Sequence, residues 1–337
     1  MIRATLCTSL LLASLAVSSL PAQELPHTTV KKVRRAAVEI HIKGQLRGGG
    51  AFVMNRDGKI FVVTAAHLFL DPKDTCTVIA EDNQSYFGSL SAYNLGHDLA
   101  IIEVPPEVSR YGSLTIATRT PADTTPIYNL GPALRRRTLL LSGSVADSRT
   151  SYTDFTSSKG TIAHFFAAGI NPVLTSGGVW VNRSGEVVGV QHGRLIGDKG
   201  APSSGLSMVS PPNAITKLLN GNQIAKTPGL GAYVWEVWTA DRSMLEELPK
   251  STEGLILNPV FEDRPAAKAG LKPFDVIVAC DGKPLSRRHQ LFDAIRSKPA
   301  GSPFKLQIIS PGSGKRRTVE LTTDTLEEHW TGLPRKP

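Results

Sequence analysis

The strings VVTAAH (62–67), HDLAIIEV (97–104) and LTSGG (174–178) stand in that order along the chain, and their reading decides how the rest is parsed. An imidazole at His67, a carboxylate at Asp98 leading an apolar strand, and a hydroxyl at Ser176 followed by two glycines are the three groups of a base-activated nucleophile. A serine hydroxyl is inert at neutral pH until a positioned base takes its proton. Imidazole is the one side chain of the three that ordinarily titrates near neutrality, so His67 is suited to accept that proton and return it to a leaving amine. Asp98 would accept from the imidazole Nδ1, which fixes the tautomer and stabilises the imidazolium. Ser176 would attack a carbonyl carbon while backbone N–H groups beside it hold the developing oxyanion. Each signal alone has a bland reading: a structural histidine, a strand-end aspartate, a glycine turn. Their conjunction, at spacings of 31 and 78 residues with a strand-like run beside each group, points to a triad.

On both sides of these strings short apolar runs alternate with turn residues. Val38, Ile40 and Ile42 alternate with Glu39, His41 and Lys43, the period-two pattern of a strand with one buried face. Gly48, Gly49 and Gly50 precede AFVM, and a turn signal at Asn55–Gly58 leads into IFVV. Further strands are expected at TVIA, DLAIIEV, TLLLSGSV, TIAHFFA, VWVN and EVVGVQH. Many short strands with hardly any long amphipathic helix argue for a mainly β fold, a sandwich or barrel. Near Asn213 the pattern changes to a short helix whose Ile215, Leu218 and Leu219 share one face, ending at Gly221. NQIAKTPG then reads as a linker. A second unit begins near Gly229 with strands AYVWEV, GLILNPV, DVIVACDG, FKLQIIS and RTVELTT, and helices at PAAKAG and, after Ser286 as N-cap, RRHQLFDAIRS. The charged, proline-containing tail from Leu326 is expected to be loose. At 337 residues the chain is long enough for two cores.

Composition excludes several classes. Hydrophobic content of 41% with 20% charged residues is that of a globular protein, neither disordered nor a membrane bundle. The net charge of +9 comes from scattered groups, Lys31, Lys32, Arg34, Arg35, Arg135–Arg137 and Lys315–Arg317, with no aromatic interleaving. They read as solvated faces, and no nucleic-acid partner is expected. Arg3, the apolar run Leu10–Leu20 and Ala22 form an export signal over residues 1–22. Cleavage after Ser18, or retention as an anchor, are alternatives. Cys7 would leave with that signal, while Cys76 and Cys280 sit in strand-like runs of different units and read as small buried hydrophobes. There is no CxxC, no HExxH and no clustered His/Cys spacing, so neither a metal nor an organic cofactor is expected.

From Thr29 to Thr323 the chain resembles the HtrA family of exported serine proteases, trypsin-like in the first domain with one PDZ domain behind. AAGINPVLTSGGVWVNRSGEVVGV resembles the family's nucleophile segment, GLSMVSPPNAI its closing strand and helix entry, and GLILNPVFEDRPAAKAGLKPFDVIVACDGKPL the PDZ core. The resemblance implies a chymotrypsin-like double β-barrel over residues 29–221, a linker at 222–228, a PDZ domain at 229–325 and a tail at 326–337. It implies an endopeptidase of unfolded or damaged proteins, periplasmic or secreted, and trimeric. It also implies preference for a small aliphatic residue before the scissile bond. Gly229, Leu230, Gly231 and Ala232 match the loop that receives a peptide's C-terminal carboxylate, and the peptide would add as a strand beside AYVWEV, facing Leu291 and Ile295.

Departures cluster at the nucleophile. The family has glycine two positions before the serine and asparagine one before; Leu174 and Thr175 stand there. One extra residue lies between Pro172 and Ser176, and Val179 replaces a proline. The family's oxyanion hole uses the N–H of the serine and of the residue two before it, here Ser176 and Leu174. Losing one such donor costs roughly 100- to 1,000-fold in rate. A protease-like scaffold that binds peptides without cutting them is therefore the rival reading, and a basic adhesion module a third. Phe274 stands where the family has glycine before Asp275. Outside the triad, His97 should point to the face opposite Asp98, and His164 and His192 are candidates to line the cleft. GSGKRR at Gly312 reads as a charged hairpin turn, and NRS at Asn182 as a β-turn.

Overall fold

The computed structural model describes residues 24–132, 139–155, 159–196, 203–221 and 223–330. Residues 1–22, expected to form an export signal, together with Arg135–Arg137 and residues 331–337, lie outside the described residues. A basic helix α1 (His27–Ala36), absent from the sequence reading, buries Val33 and Ala36 and leaves its lysines and arginines outside. Two closed barrels follow. The first comprises β1 (Ala37–Ile42), β2 (Gln45–Met54), β3 (Ile60–Ala65), β4 (Thr75–Ile79), β5 (Ser85–Asn94) and β6 (Leu99–Glu103). The second comprises β7 (Pro126–Gly131), β8 (Leu139–Phe155), β9 (Gly160–Gly169), β10 (Val179–Val181), β11 (Val187–Ile196) and β12 (Ser203–Ser210). Around each barrel the strands run first, second, third, sixth, fifth, fourth, so the two halves repeat one topology. The mainly β, double-barrel expectation holds.

Val38, Ile40 and Ile42 fill the first barrel as their alternation predicts, but Glu39 is buried as well, its Oε2 3.0 Å from His41 Nε2. In the second barrel Trp180 is fully buried with Phe165, Val188 and Val209. A side chain of that size contributes about 3 kcal/mol or more on leaving water. Gly48–Gly50 lie inside β2, where the barrels meet. A Cβ on Gly48 would collide with the Ser176 carbonyl oxygen. Glycine there lets the two backbones touch.

Helix α2 (Pro212–Gly221) packs Ile215, Leu218 and Leu219 on the first barrel's cluster, as expected from their spacing. The second unit is a sheet of β14 (Ala232–Glu236), β15 (Leu255–Val260), β16 (Val276–Cys280), β18 (Pro303–Ile309) and β19 (Arg316–Thr322), with β17 (Lys283–Pro284) on β16. Its two ends are tied by pairing of β13 (Pro228–Gly229) with β20 (Asp324–Thr325). Three helices accompany it: α3 (Arg242–Glu246), α4 (Pro265–Lys268) and α5 (Arg288–Arg296). Arg287, not Ser286, is the N-cap of α5, and Gln290 Oε1 accepts from the N–H of both.

The tail expected to be loose from Leu326 is packed through Trp330. Leu326 is buried, Glu327 accepts from Thr227 and from the Leu95 N–H, and the Trp330 ring lies 4.5 Å from that of Tyr93. Phe274 has φ +73°, so the turn keeps a left-handed backbone despite losing its glycine. A side chain costs about 1–2 kcal/mol in that region. Because nearly half of the Phe274 surface is in water (46% exposed), Phe274→Gly is expected to stabilise the protein by up to about 1 kcal/mol, read as a rise in urea midpoint. A fall in midpoint would show that the ring packs more than its exposure implies.

Candidate active site

Strands β3 and β6 are antiparallel neighbours with Ala65 opposite Leu99, so the end of one and the start of the other meet. This register closes the 31-residue gap between His67, in a 3-10 turn directly after β3, and Asp98, in the turn directly before β6. The Asp98 carboxylate accepts twice from the same residue: Oδ1 from the His67 backbone N–H at 2.8 Å and Oδ2 from its ring Nδ1 at 2.5 Å. Both residues are buried, at 7% and 2% exposure, so little water competes for those bonds. Asp98 sits at φ +50°, a conformation aspartate tolerates better than most side chains.

Ser176 precedes β10 in the loop that crosses to the first barrel. Its carbonyl accepts from the Gly49 N–H at 2.9 Å, and Gly177, at φ +79°, lies where a Cβ would strike Gly49 O and Thr64 Oγ1. The chain thus brings Ser176 against the strand pair that carries His67. Among the described residues Ser176 Oγ makes no hydrogen bond to the His67 ring. Resting sites often show this bond long, and it shortens when substrate binds. The backbone N–H groups of Leu174 and Ser176 likewise donate to no described residue, which leaves both open to an acceptor. Leu174 is at φ +71°, the left-handed backbone that a glycine adopts freely.

Of the other histidines, His97 lies in the turn before β6 rather than on a strand, its N–H donating to Asn94 Oδ1. Burial lowers its pKa to about 3. His164 and His192 are buried behind the site instead of lining an open cleft. Their rings stand 5.4 Å apart; His192 stands 6.2 Å from Phe155, which meets the His67 ring edge-on at 5.5 Å. Desolvation lowers His164 to about 4 and drives His192 well below its usual value. Among the described residues neither nitrogen of His192 has a hydrogen-bond partner. Burial also raises the thiols, Cys76 to about 12 and Cys280 to about 11, as suits inert core residues.

The groove residues named from sequence are all present but closed over. Leu230, Ala232, Leu291 and Ile295 are buried in one cluster with Tyr152 and Ala163 of the second barrel, and Gly229 and Gly231 are buried beside them. Tyr152 donates to Asp293 at 2.6 Å and its ring lies 5.3 Å from Phe292. Arg288 donates to Val234 O and pairs with Asp154 at 3.2 Å, while Arg296 donates to Gly96 O and Thr161 O. A peptide strand beside β14 would have to displace these contacts. Sequence reasoning missed this interface, and also Phe155, whose carbonyl accepts from Tyr233 at 3.1 Å, and Gln191, the one polar side chain in the apolar run VVGVQ.

A trypsin-like peptidase domain model matches residues 48–190, and a PDZ domain model matches residues 241–323. The chain is 23% identical to serine endoprotease DegS of Escherichia coli K12 over 294 residues, covering 81% of this chain and 76% of that protein. It is 24% identical over 313 residues to the putative serine protease HhoA of Synechocystis, covering 86% and 72%. Among solved structures, the HtrA-type protease AlgW with a decapeptide superposes with a TM-score of 0.61 at 17% identity, over 92% of this chain and 98% of that one. These likenesses, with the two barrels and the sheet behind them, define a trypsin-like serine protease fold joined to a PDZ domain. The two domains in this order, with these likenesses, support an HtrA family protease with one PDZ domain.

Proposed function

We propose that this protein is an exported serine endopeptidase that cuts unfolded or damaged proteins through His67, Asp98 and Ser176. The observation that carries the reading is the double grip of Asp98 on His67, backbone and ring together, beside a serine loop with two unengaged N–H groups. His67 takes the Ser176 proton through Nε2 as Oγ attacks the scissile carbonyl, and Asp98 stabilises the imidazolium. The N–H groups of Ser176 and Leu174 receive the oxyanion; the imidazolium then protonates the leaving amine, and water repeats the sequence on the acyl-enzyme. No metal or organic group is required by these steps. The PDZ groove would take peptide C-termini on Gly229–Ala232, between β14 and Leu291 and Ile295, once the second barrel withdraws. Export follows from the signal over residues 1–22 and agrees with relatives named as periplasmic endoproteases; trimeric assembly rests on the family resemblance.

A second reading, a peptide-binding scaffold without turnover, is favoured by one observation: Leu174 occupies a strained backbone position next to the nucleophile. Degradation of unfolded casein separates the two. The endopeptidase reading expects cleavage by the wild type and none by Ser176→Ala; intact casein with both proteins supports the scaffold.

A further inference from the structure

We infer that Gln191 is the positioning residue for the nucleophile loop, holding by side-chain hydrogen bonds a backbone that the family's glycine and asparagine would adopt unaided. The inference rests on the endopeptidase reading and extends it to a residue that no part of the triad touches.

Gln191 holds the loop with three groups and is itself anchored by a fourth. Its backbone carbonyl accepts from the Gly177 N–H at 2.7 Å, and its backbone N–H donates to Gly178 O at 2.8 Å. Its side-chain Nε2 donates to Thr175 Oγ1 at 3.3 Å, and that hydroxyl donates to Pro172 O at 2.9 Å. Its Oε1 is held by the Trp180 indole N–H at 2.9 Å, which fixes the amide orientation. Trp180, Gln191 and Thr175 are 0%, 2% and 4% exposed, so water does not compete along this chain of donors. Between Pro172 and Thr175 lie only Val173 and Leu174, the latter at φ +71°. A leucine keeps a left-handed backbone when the surrounding structure over-determines it, and the Pro172–Thr175–Gln191–Trp180 chain is the structure that does so here. The direction of the Leu174 N–H, and with it one oxyanion donor, follows from that clamp. Among the described residues neither the Thr175 nor the Gln191 side chain hydrogen-bonds to the side chains of His67, Asp98 or Ser176, so the two act by aim alone.

Thr175→Val removes the hydroxyl and leaves the Trp180–Gln191 bond intact, so folding is tested separately by thermal melting. The expected result is a fall in kcat of about 10- to 1,000-fold with KM changed less than about threefold, the upper figure being loss of an oxyanion donor. Thr175→Ser, which keeps the hydroxyl, restores most of kcat, and Gln191→Leu repeats the loss. A folded Thr175→Val enzyme with wild-type kcat overturns the inference. Hydrogen exchange at the Gly177 and Gly178 amides, which donate to Gln191 O and Thr175 O, provides a readout that needs no turnover. Exchange is expected to accelerate in Thr175→Val and Gln191→Leu, and unchanged exchange overturns the inference. A wild type that neither cuts casein nor reacts with a fluorophosphonate, yet shows that acceleration, sinks the endopeptidase reading and leaves the clamp standing.

Discussion

Asp98→Asn is expected to leave the barrels folded and to lower kcat about 10,000-fold, the scale seen when a triad carboxylate becomes an amide. The side chain keeps its shape, and asparagine adopts the φ of +50° at this position at least as readily as aspartate. What changes is the partner offered to His67 Nδ1, 2.5 Å away. An amide that turns its NH₂ toward the ring stabilises the tautomer with its proton on Nε2, which cannot accept from Ser176. An amide that turns its oxygen there still lacks the charge that stabilises the imidazolium. Turnover of a peptide substrate, with circular dichroism as the control for folding, checks this. A kcat within about tenfold of wild type would reduce Asp98 to a strand-end cap.

Acid is expected to unfold the protein through its buried histidines. His164 falls from an ordinary 6.5 to about 4 because burial penalises its charged form. The unfolded chain takes up this proton as pH drops through 6.5, whereas the folded chain refuses it until about 4. The contribution to stability is complete above the unfolded value and is lost as pH falls toward the folded one, amounting to about 2 kcal/mol near pH 5. His192 acts in the same sense, whereas Asp154, raised to about 6 by burial, acts in the opposite one. A variant comparison isolates the term. Between about pH 8 and 5, wild type should lose about 2 kcal/mol more in urea unfolding than His164→Gln. Parallel losses would mean that His164 is charged in the folded protein.

The three proposed triad residues were legible as candidates because each flanks an apolar strand whose pattern could be read locally: β3 before His67, β6 after Asp98, β10 after Ser176. Register between β3 and β6 then brought the first two together without further information. The hydrogen bonds around Gln191 were hidden, since the amide gains its meaning only when β11 lies beside the loop it holds. Gly48–Gly50 were seen only as glycines ahead of AFVM; that the close approach of Ser176 demands them inside the strand was not visible. Glu39 was placed outward by alternation, yet it is buried with a His41 partner. The packed tail depends on Glu327 meeting Thr227, and the closed groove on Tyr152 meeting Asp293 and Arg296 meeting Gly96. Contacts between residues 100 to 200 positions apart leave no periodic trace. The departures at Leu174 and Phe274 were visible, but their outcome was not: both keep the left-handed backbone of the glycine they replace.

Mass-spectrometric mapping after treatment with a fluorophosphonate tests most directly whether His67 activates Ser176. The account predicts a single phosphonylated site, at Ser176, in the wild type, with labelling lost in His67→Ala although the serine is still present. An unlabelled Ser176 under conditions that fully modify trypsin, or equal labelling without the histidine, would contradict it.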